Sequence, residues 1–238
     1  MNVYYADMHI HTCLSPCAER EMSPANIVGE AIKRGLHMIA ICDHNSSENV
    51  TAVINAAKGS DLMVIGGIEI TSKEEVHILG LFENAAALIG IQKTIYENLP
   101  GENDPAYFGE QLIVDEEDRI IGKNKRLLIG ATHFSVKEVV GLVHHHGGIA
   151  VASHIDRPSF SLISQLGFVP EDLGLDGVEV FFHDIPELPT GMPVVFSSDA
   201  HRLEEIGRRR TAFFLEYGNL PEVTLALEGV QGRKIMEP

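Results

Sequence analysis

Asp7, His9 and His11 occupy alternate positions of the stretch YYADMHIHTCLSPC. Successive side chains of a β-strand point to opposite faces, so in a strand these three share one face. Imidazole and carboxylate together suit zinc, manganese or iron better than calcium. The same residue types return along the chain: Asp43 and His44 in IAICDHN, Glu69 in VIGGIEIT, His77 in EEVHILG, His154 in IAVASH, and Asp199 with His201 in VVFSSDAH. Twelve histidines are many for 238 residues. Taken one at a time, each is more often a hydrogen-bonded core or surface group than a ligand. Brought to one place, they would repel or stay unsatisfied unless cations held them. The pattern therefore predicts a metal cluster.

The elements that would position these groups are short Val/Ile/Leu-rich runs alternating with helical patterns. Strands are predicted near Val3–Tyr5, Met38–Cys42, Leu62–Ile65, Val76–Phe82, Ile149–Ser153, Gly177–Phe181 and Val194–Ser197. Their nearly continuous apolar character suits parallel strands covered on both faces. Ser23 and Pro24 open a helix with Ile27, Val28, Ala31 and Ile32 on one face, and Gly35 ends it. Ser135 and Glu138 stand at capping-box spacing before a second helix, which Gly147 and Gly148 stop. Repeating strand–helix units predict an α/β barrel of the triose-phosphate-isomerase type, or an open doubly wound sheet. All the candidate ligands lie near the C-terminal ends of strands except His77, which is nearer a strand start; in barrels that end forms the site. Residues 85–133 break the rhythm with charge, glycine and turn formers, and are read as an insertion or lid with a small hairpin. No linker or repeat divides residues 1–238, so one domain is expected.

Composition narrows the function. A net charge of −16 argues against a general nucleic-acid surface, and 6% aromatic residues with no tryptophan argue against base-stacking platforms. An acidic chain can still admit a phosphate locally where bound ions concentrate positive charge. No apolar run reaches the roughly 20 residues that cross a bilayer. No secretory signal is read, and three scattered cysteines suit a reducing cytoplasm.

The segments ADMHIHT, CDHN, GIEIT, VHILG, ASH and SSDAH, in this order and spacing, resemble the PHP family, named for polymerase and histidinol phosphatase domains. The likeness runs from Asp7 to His201. It implies a distorted (β/α)7 TIM-like barrel, with two or three divalent ions (zinc, manganese or iron) at the C-terminal ends of the strands, and hydrolysis of phosphate esters. By the same resemblance, His9, His11, Glu69 and Asp199 hold a first ion, and Glu69 bridges to a second held by His77 and His154. A third takes His44, His201 and one more ligand. Several relatives place a histidine there, six residues after the second histidine of the opening motif; in this chain that position is Cys17. Thiolate favours zinc or iron over manganese or magnesium. Otherwise Cys17 is a small apolar residue and the third site is weak. Cys13 is assigned to packing.

Further candidates surround this set. Arg157, in HIDRP, is placed to clamp phosphate oxygens, and Asp43 or an unligated histidine to protonate the leaving group. Arg202 is a second clamp candidate or a surface ion pair. His133 is a candidate facing the cleft from the insertion. Glu179 is either a group behind the ligands or a plain strand-end carboxylate, and Asp7 belongs with the supporting groups. The triplet His144–His146 is assigned to a helix end. The expected reaction is attack by a hydroxide shared between ions on the phosphorus of a small phosphorylated substrate, a phosphomonoester or small phosphodiester. The rival readings are amidohydrolase-like attack on a C–N or ester bond, and a non-catalytic metal-stabilised binding or regulatory module.

Overall fold

The computed structural model describes residues 1–182 and 188–236. Its first half runs β1 (Asn2–Ile10), α1 (Pro24–Lys33), β2 (Met38–Ile41), α2 (Val50–Ala56), β3 (Met63–Thr71), β4 (His77–Phe82), α3 (Ala85–Glu97), α4 (Pro105–Phe108), β5 (Leu112–Val114) and β6 (Ile120–Lys123). The second half adds α5 (Val136–His145), β7 (Ile149–Ala152), α6 (Leu162–Leu166), β8 (Gly177–Glu179), β9 (Val194–Val195), β10 (Thr211–Leu215), α7 (Leu220–Glu228) and β11 (Lys234–Ile235). Ser23 has the extended backbone of an N-cap before Pro24, but its hydroxyl makes no capping bond. The Ser135–Glu138 capping box is complete.

Nine strands form one sheet in the order β11-β10-β1-β2-β3-β4-β7-β8-β9. Beyond β9 the chain returns to β1: Ala200 bridges Ile10 in parallel, and His11 donates its N–H to the Ala200 carbonyl at 3.0 Å. The run from β1 to β9 thereby curls into a nearly closed barrel, the α/β architecture expected. A regular parallel sheet is not what forms. β3 and β4 are joined by a short turn and pair antiparallel, and β4 pairs antiparallel with β7 as well. That reversal accounts for His77. Because β4 runs the other way, its first residue pairs with Thr71 at the end of β3, at the rim where the other candidates gather.

One apolar cluster lies under the helices and includes Ile27, Ile41, Ile68, Ile78 and Val140. A second, on the other face of the sheet, joins Met8, Ala40, Cys42, Leu79, Leu81, Val151 and Phe213 to Val223 and Leu227 of α7. Gly67 belongs to this inner face: an added Cβ would stand 2.6 Å from Cys42 Sγ and 2.9 Å from the Ile41 carbonyl oxygen. Gly67→Ala is therefore expected to destabilise the fold by about 1–3 kcal/mol through overpacking. Urea unfolding checks this, and an unchanged midpoint would show that the strands spread at no cost.

In the 85–133 segment, Leu88, Ile91 and Ile95 of α3 join the cluster under the helices. β5 and β6 make a separate antiparallel hairpin. Asn49 Nδ2 donates to the Leu112 carbonyl at 3.0 Å, and Asn45 Nδ2 to those of Leu128 and Gly130 at 2.8 Å. The segment is thus pinned across the loop that follows β2. Among the described residues, no helix is long and apolar enough to cross a membrane.

Candidate metal centre

The register of β1 against β2 decides which of the opening residues face the site. Ala6 pairs with Met38 and Asp7 with Ile39, yet Ile10 pairs with Ile41. Three steps on β1 thus match two on β2, a β-bulge in which Met8 and His9 together oppose Ala40. The extra residue re-aims everything after it. Asp7 is consequently turned away from His9 and His11, contrary to the strict alternation the sequence suggested. Its carboxylate instead accepts from Ser198 N at 2.9 Å, Ser198 Oγ at 2.6 Å and Gly207 N at 2.8 Å. Burial pushes this carboxyl up to about 6 against those bonds. Asp7 thereby anchors the loop that presents Asp199.

Glu69, buried on β3, is the hub of the centre. Its Oε1 lies 3.3 Å from His9 Nε2, 3.0 Å from His77 Nδ1 and 3.3 Å from His154 Nε2. Its Oε2 lies 2.8 Å from His44 Nδ1 and 3.5 Å from His11 Nε2. Asp199 Oδ1 lies 2.9 Å from His11 Nε2 and 3.3 Å from His9 Nε2. His201 Nε2 is 3.1 Å from Cys17 Sγ, and its ring stacks on His11 with centroids 4.2 Å apart. All nine side chains assigned to ions by resemblance are thus brought to one place. Three tight groups stand out, each with ligand atoms within 4.8 Å of one another: His9–His11–Asp199, His44–Glu69–His77 and His11–His44–His201. His44 therefore sits between two of them, where the resemblance put it in the third site only, with His201 and one more ligand.

The donor set fits divalent ions on a further observation. Glu69 Oε2, His44 Nδ1 and His154 Nδ1 are buried without a hydrogen-bond partner, even though the first two are 2.8 Å apart. Orphaned buried lone pairs are costly unless something binds them. Within the cluster the charges are tightly interlocked. Burial opposes ionisation of Glu69, but His77, His9 and His44 hold its carboxyl well below the ordinary range. Burial likewise disfavours charge on His9, yet Glu179, Asp199 and Glu69 hold it well above the usual imidazole value. Cys17 is exposed, and what desolvation its thiol meets is outweighed by His44 and His201, which bring it down to about 6. Local strain accompanies the cluster, since His154 (φ 29°) and Asp199 (φ 50°) hold left-handed backbone. For residues other than glycine that costs about 1–3 kcal/mol each.

Behind the ligands, Glu179 Oε1 and Oε2 lie 3.1 and 3.2 Å from His9 Nδ1, leaving His9 Nε2 to face the cluster. A partner of this kind fixes a ring's tautomer and orientation. His11 Nδ1 pairs with Ser15 Oγ at 2.9 Å, and Ser15 Oγ donates to Asp43 at 2.7 Å. Asp43 also accepts from Thr12 N and Thr12 Oγ1, both at 2.7 Å. With its bonds directed there and no share in the cavity wall, Asp43 is not placed to protonate a leaving group; it holds the turn after β1.

A cavity of about 210 Å³ opens on the cluster, lined by Cys17, His44, Glu69, His77, His154, Arg157, Asp199 and His201, together with Ile129, Ser159 and Phe160. Arg157 ion-pairs with Asp199 and lies over the Phe181 ring at 3.9 Å. Arg209 lies over the same ring at 3.8 Å. Arg202 is an exposed partner of Glu19 at 3.1 Å, and exposed His133 does not line the cavity. His144 pairs with Asp176 at 2.8 Å, at the helix end where it was expected. Ser15 and Phe181 escaped the sequence reading. The GRRRT run holding Arg209 reads in sequence as a solvated helix end or a partner of the chain's many acids, not as a group stacked on Phe181 beside Arg157.

Clustered imidazoles and carboxylates at the open rim of an α/β barrel define a metal-dependent hydrolase. The chain belongs to the PHP domain family, which residues 7–165 match; residues 189–223 match the PHP-associated family. The 5′-3′ exoribonuclease of Haemophilus influenzae is 25% identical over 188 residues, covering 62% of this chain and 68% of that one. The lesion-specific endonuclease PfuEndoQ of Pyrococcus furiosus superimposes with a TM-score of 0.77 at 19% identity, over 99% of this chain and 58% of that one. Endonuclease Q in complex with a 27-mer duplex substrate, an abasic lesion at its active site, gives 0.70 at 16%, over 99% and 59%. The chain thus spans little more than half of these endonucleases, and at such identities the likeness is one of fold.

It is enough to correct one expectation. The absence of a general nucleic-acid surface was argued from a net charge of −16, and a small phosphorylated substrate was expected in its place. Yet a protein of this fold, matched over 99% of this chain, is seen with a 27-mer duplex substrate, an abasic lesion at its active site. Net charge averages over the whole surface and does not describe the field at one site, where bound cations and single arginines count most.

Proposed function

We propose that the protein is a divalent-metal-dependent phosphodiesterase of nucleic acid, acting on a strand end or an exposed nucleotide. The observation that carries this reading is Glu69, whose two oxygens meet five imidazoles beside a cavity walled by Arg157. The chain's relatives supply the polymer: the H. influenzae protein is named an exoribonuclease and the fold neighbours are endonucleases. A cavity of about 210 Å³ suits one phosphate and its adjoining groups rather than a duplex. The target is therefore presented as a single nucleotide, an end or one turned out of the stack.

His9, His11, Glu69 and Asp199 would hold one ion, Glu69, His77 and His154 a second, and His44, His201 and Cys17 a third. Bound there, divalent ions act as Lewis acids and lower the pKa of water, giving a nucleophile near neutral pH. The protein's own groups do the rest. Glu179 aims His9, and Ser15 aims His11. Arg157, steadied on Phe181, neutralises charge gathering on the equatorial phosphate oxygens. The segment around Ile129 closes one side of the cavity and serves as the lid. Zinc or iron is favoured over magnesium at the third position by the Cys17 thiolate.

The test is incubation of protein loaded with zinc, manganese or iron(II) with end-labelled single-stranded RNA, single-stranded DNA and duplex, followed by product sizing. Cleavage of single strands ahead of duplex is expected. Intact polymers under every metal would overturn the reading.

A further inference from the structure

We propose that Phe160 is a stacking platform for the nucleobase attached to the reacting phosphate, an inference that rests on the reading of the site as a nucleic-acid phosphodiesterase. Phe160 holds left-handed backbone, φ 56°. For a bulky side chain this is unfavourable, and such strain persists where the surroundings over-determine it, commonly at binding sites. The surroundings here are the metal centre itself. The Phe160 carbonyl accepts the His77 N–H at 3.0 Å, and its ring stacks on the His77 ring at 4.9 Å with 19° between planes.

A large aromatic normally gains by full burial, yet Phe160 remains 39% exposed and lines the cavity. One ring face is taken by His77, and part of the side chain stays open to the cavity and solvent. Arg157 stands three residues earlier on the same loop and lines the same cavity. One loop thus offers a guanidinium for the phosphate and an aromatic plane for what the phosphate carries. Stacking on such a plane tolerates any base, because every base has a π-face. Composition pointed away from this role: 6% aromatic residues cannot pave a groove, but one ring beside the reacting centre suffices for one nucleotide.

Two measurements test it. The first compares kcat/KM on the dinucleotide TpT with that on analogues in which one base is replaced by an abasic tetrahydrofuran. The wild-type protein should prefer TpT by about ten-fold or more, and Phe160→Leu should bring that ratio towards one while Phe160→Tyr keeps it. Equal losses on both substrates would show that Phe160 merely supports His77, and would overturn the platform. The second needs no turnover. The chain has no tryptophan, so Phe160→Trp places a lone indole at the site. Thymidine 3′,5′-bisphosphate should quench its fluorescence, and the base-free sugar bisphosphate should not; equal or absent quenching overturns the proposal. If polymers are cut but no dinucleotide is, the fluorescence result alone decides the platform; if polymers stay intact as well, the phosphodiesterase reading falls and the fluorescence result still decides it.

Discussion

Glu69→Gln is expected to lower phosphodiester hydrolysis by at least about 10³-fold and to reduce the bound metal, while the protein stays folded. The substitution keeps shape and one oxygen but removes the charge that five buried imidazoles share. No other acid substitutes for it. Asp199 is engaged with His9, His11 and Arg157, and Glu179 faces His9 from behind. Losing this carboxylate removes a ligand from two proposed ion positions at once. The comparison variant is Glu179→Gln, which disturbs only the orientation of His9; about 10- to 100-fold is expected there. Elemental analysis, circular dichroism and single-strand cleavage read all three quantities. A Glu69→Gln protein with full metal content and near-native rate would sink the assignment of Glu69 as the shared ligand.

The site was more legible than the frame that builds it. Histidines and carboxylates at strand ends can be read because few other arrangements use them so densely. His77 looked displaced only because strand direction is invisible in a run of apolar residues; once β4 is antiparallel it falls into place. Asp7 failed for a subtler reason. Period-two reasoning assumes an unbroken ladder, and one extra residue between Asp7 and Ile10 reverses the faces. Asp43 was misjudged because its partners, Thr12 and Ser15, lie about thirty residues away, and only the fold brings their hydroxyls to it. Phe160 and Phe181 carry no local signal. Their importance comes from what they stack on, which sequence spacing does not encode. The same holds for charge: the total says how the whole surface repels a polyanion, not what one rim does.

Removing the divalent ions is expected to abolish hydrolysis and to lower the melting temperature, by an amount that grows with pH. Ions that bind the folded chain alone stabilise it by about 4 kcal/mol at a thousand-fold excess over Kd. At roughly 2–4 °C per kcal/mol for a chain of this length, the gap between loaded and stripped protein should be about 10 °C for each ion so bound. Its pH dependence follows from the protons the ions displace. In the stripped protein, neighbouring acids hold His9 well above its ordinary value despite burial. Burial also opposes charge on His44 and His201, but Cys17 with Glu69 raises the first, and Cys17 with Asp199 the second. Each proton still held must leave before an ion can take its nitrogen, costing about 1.4 kcal/mol per pH unit below that group's folded pKa. His11 and His77, lowered mainly by burial, release none near neutrality. The gap should therefore widen between pH 6 and 8; a constant gap would mean that the ions bypass those three imidazoles. Reloading with cobalt(II) examines the third position separately. With its thiol at about 6, Cys17 is largely thiolate at neutral pH and should give a sulfur-to-cobalt charge-transfer absorption. Cys17→Ser should erase that band and, since the first two proposed positions keep their ligands, cost less activity than Glu69→Gln. A band that survives the substitution would place the thiolate elsewhere and leave His44 and His201 to hold that ion without it.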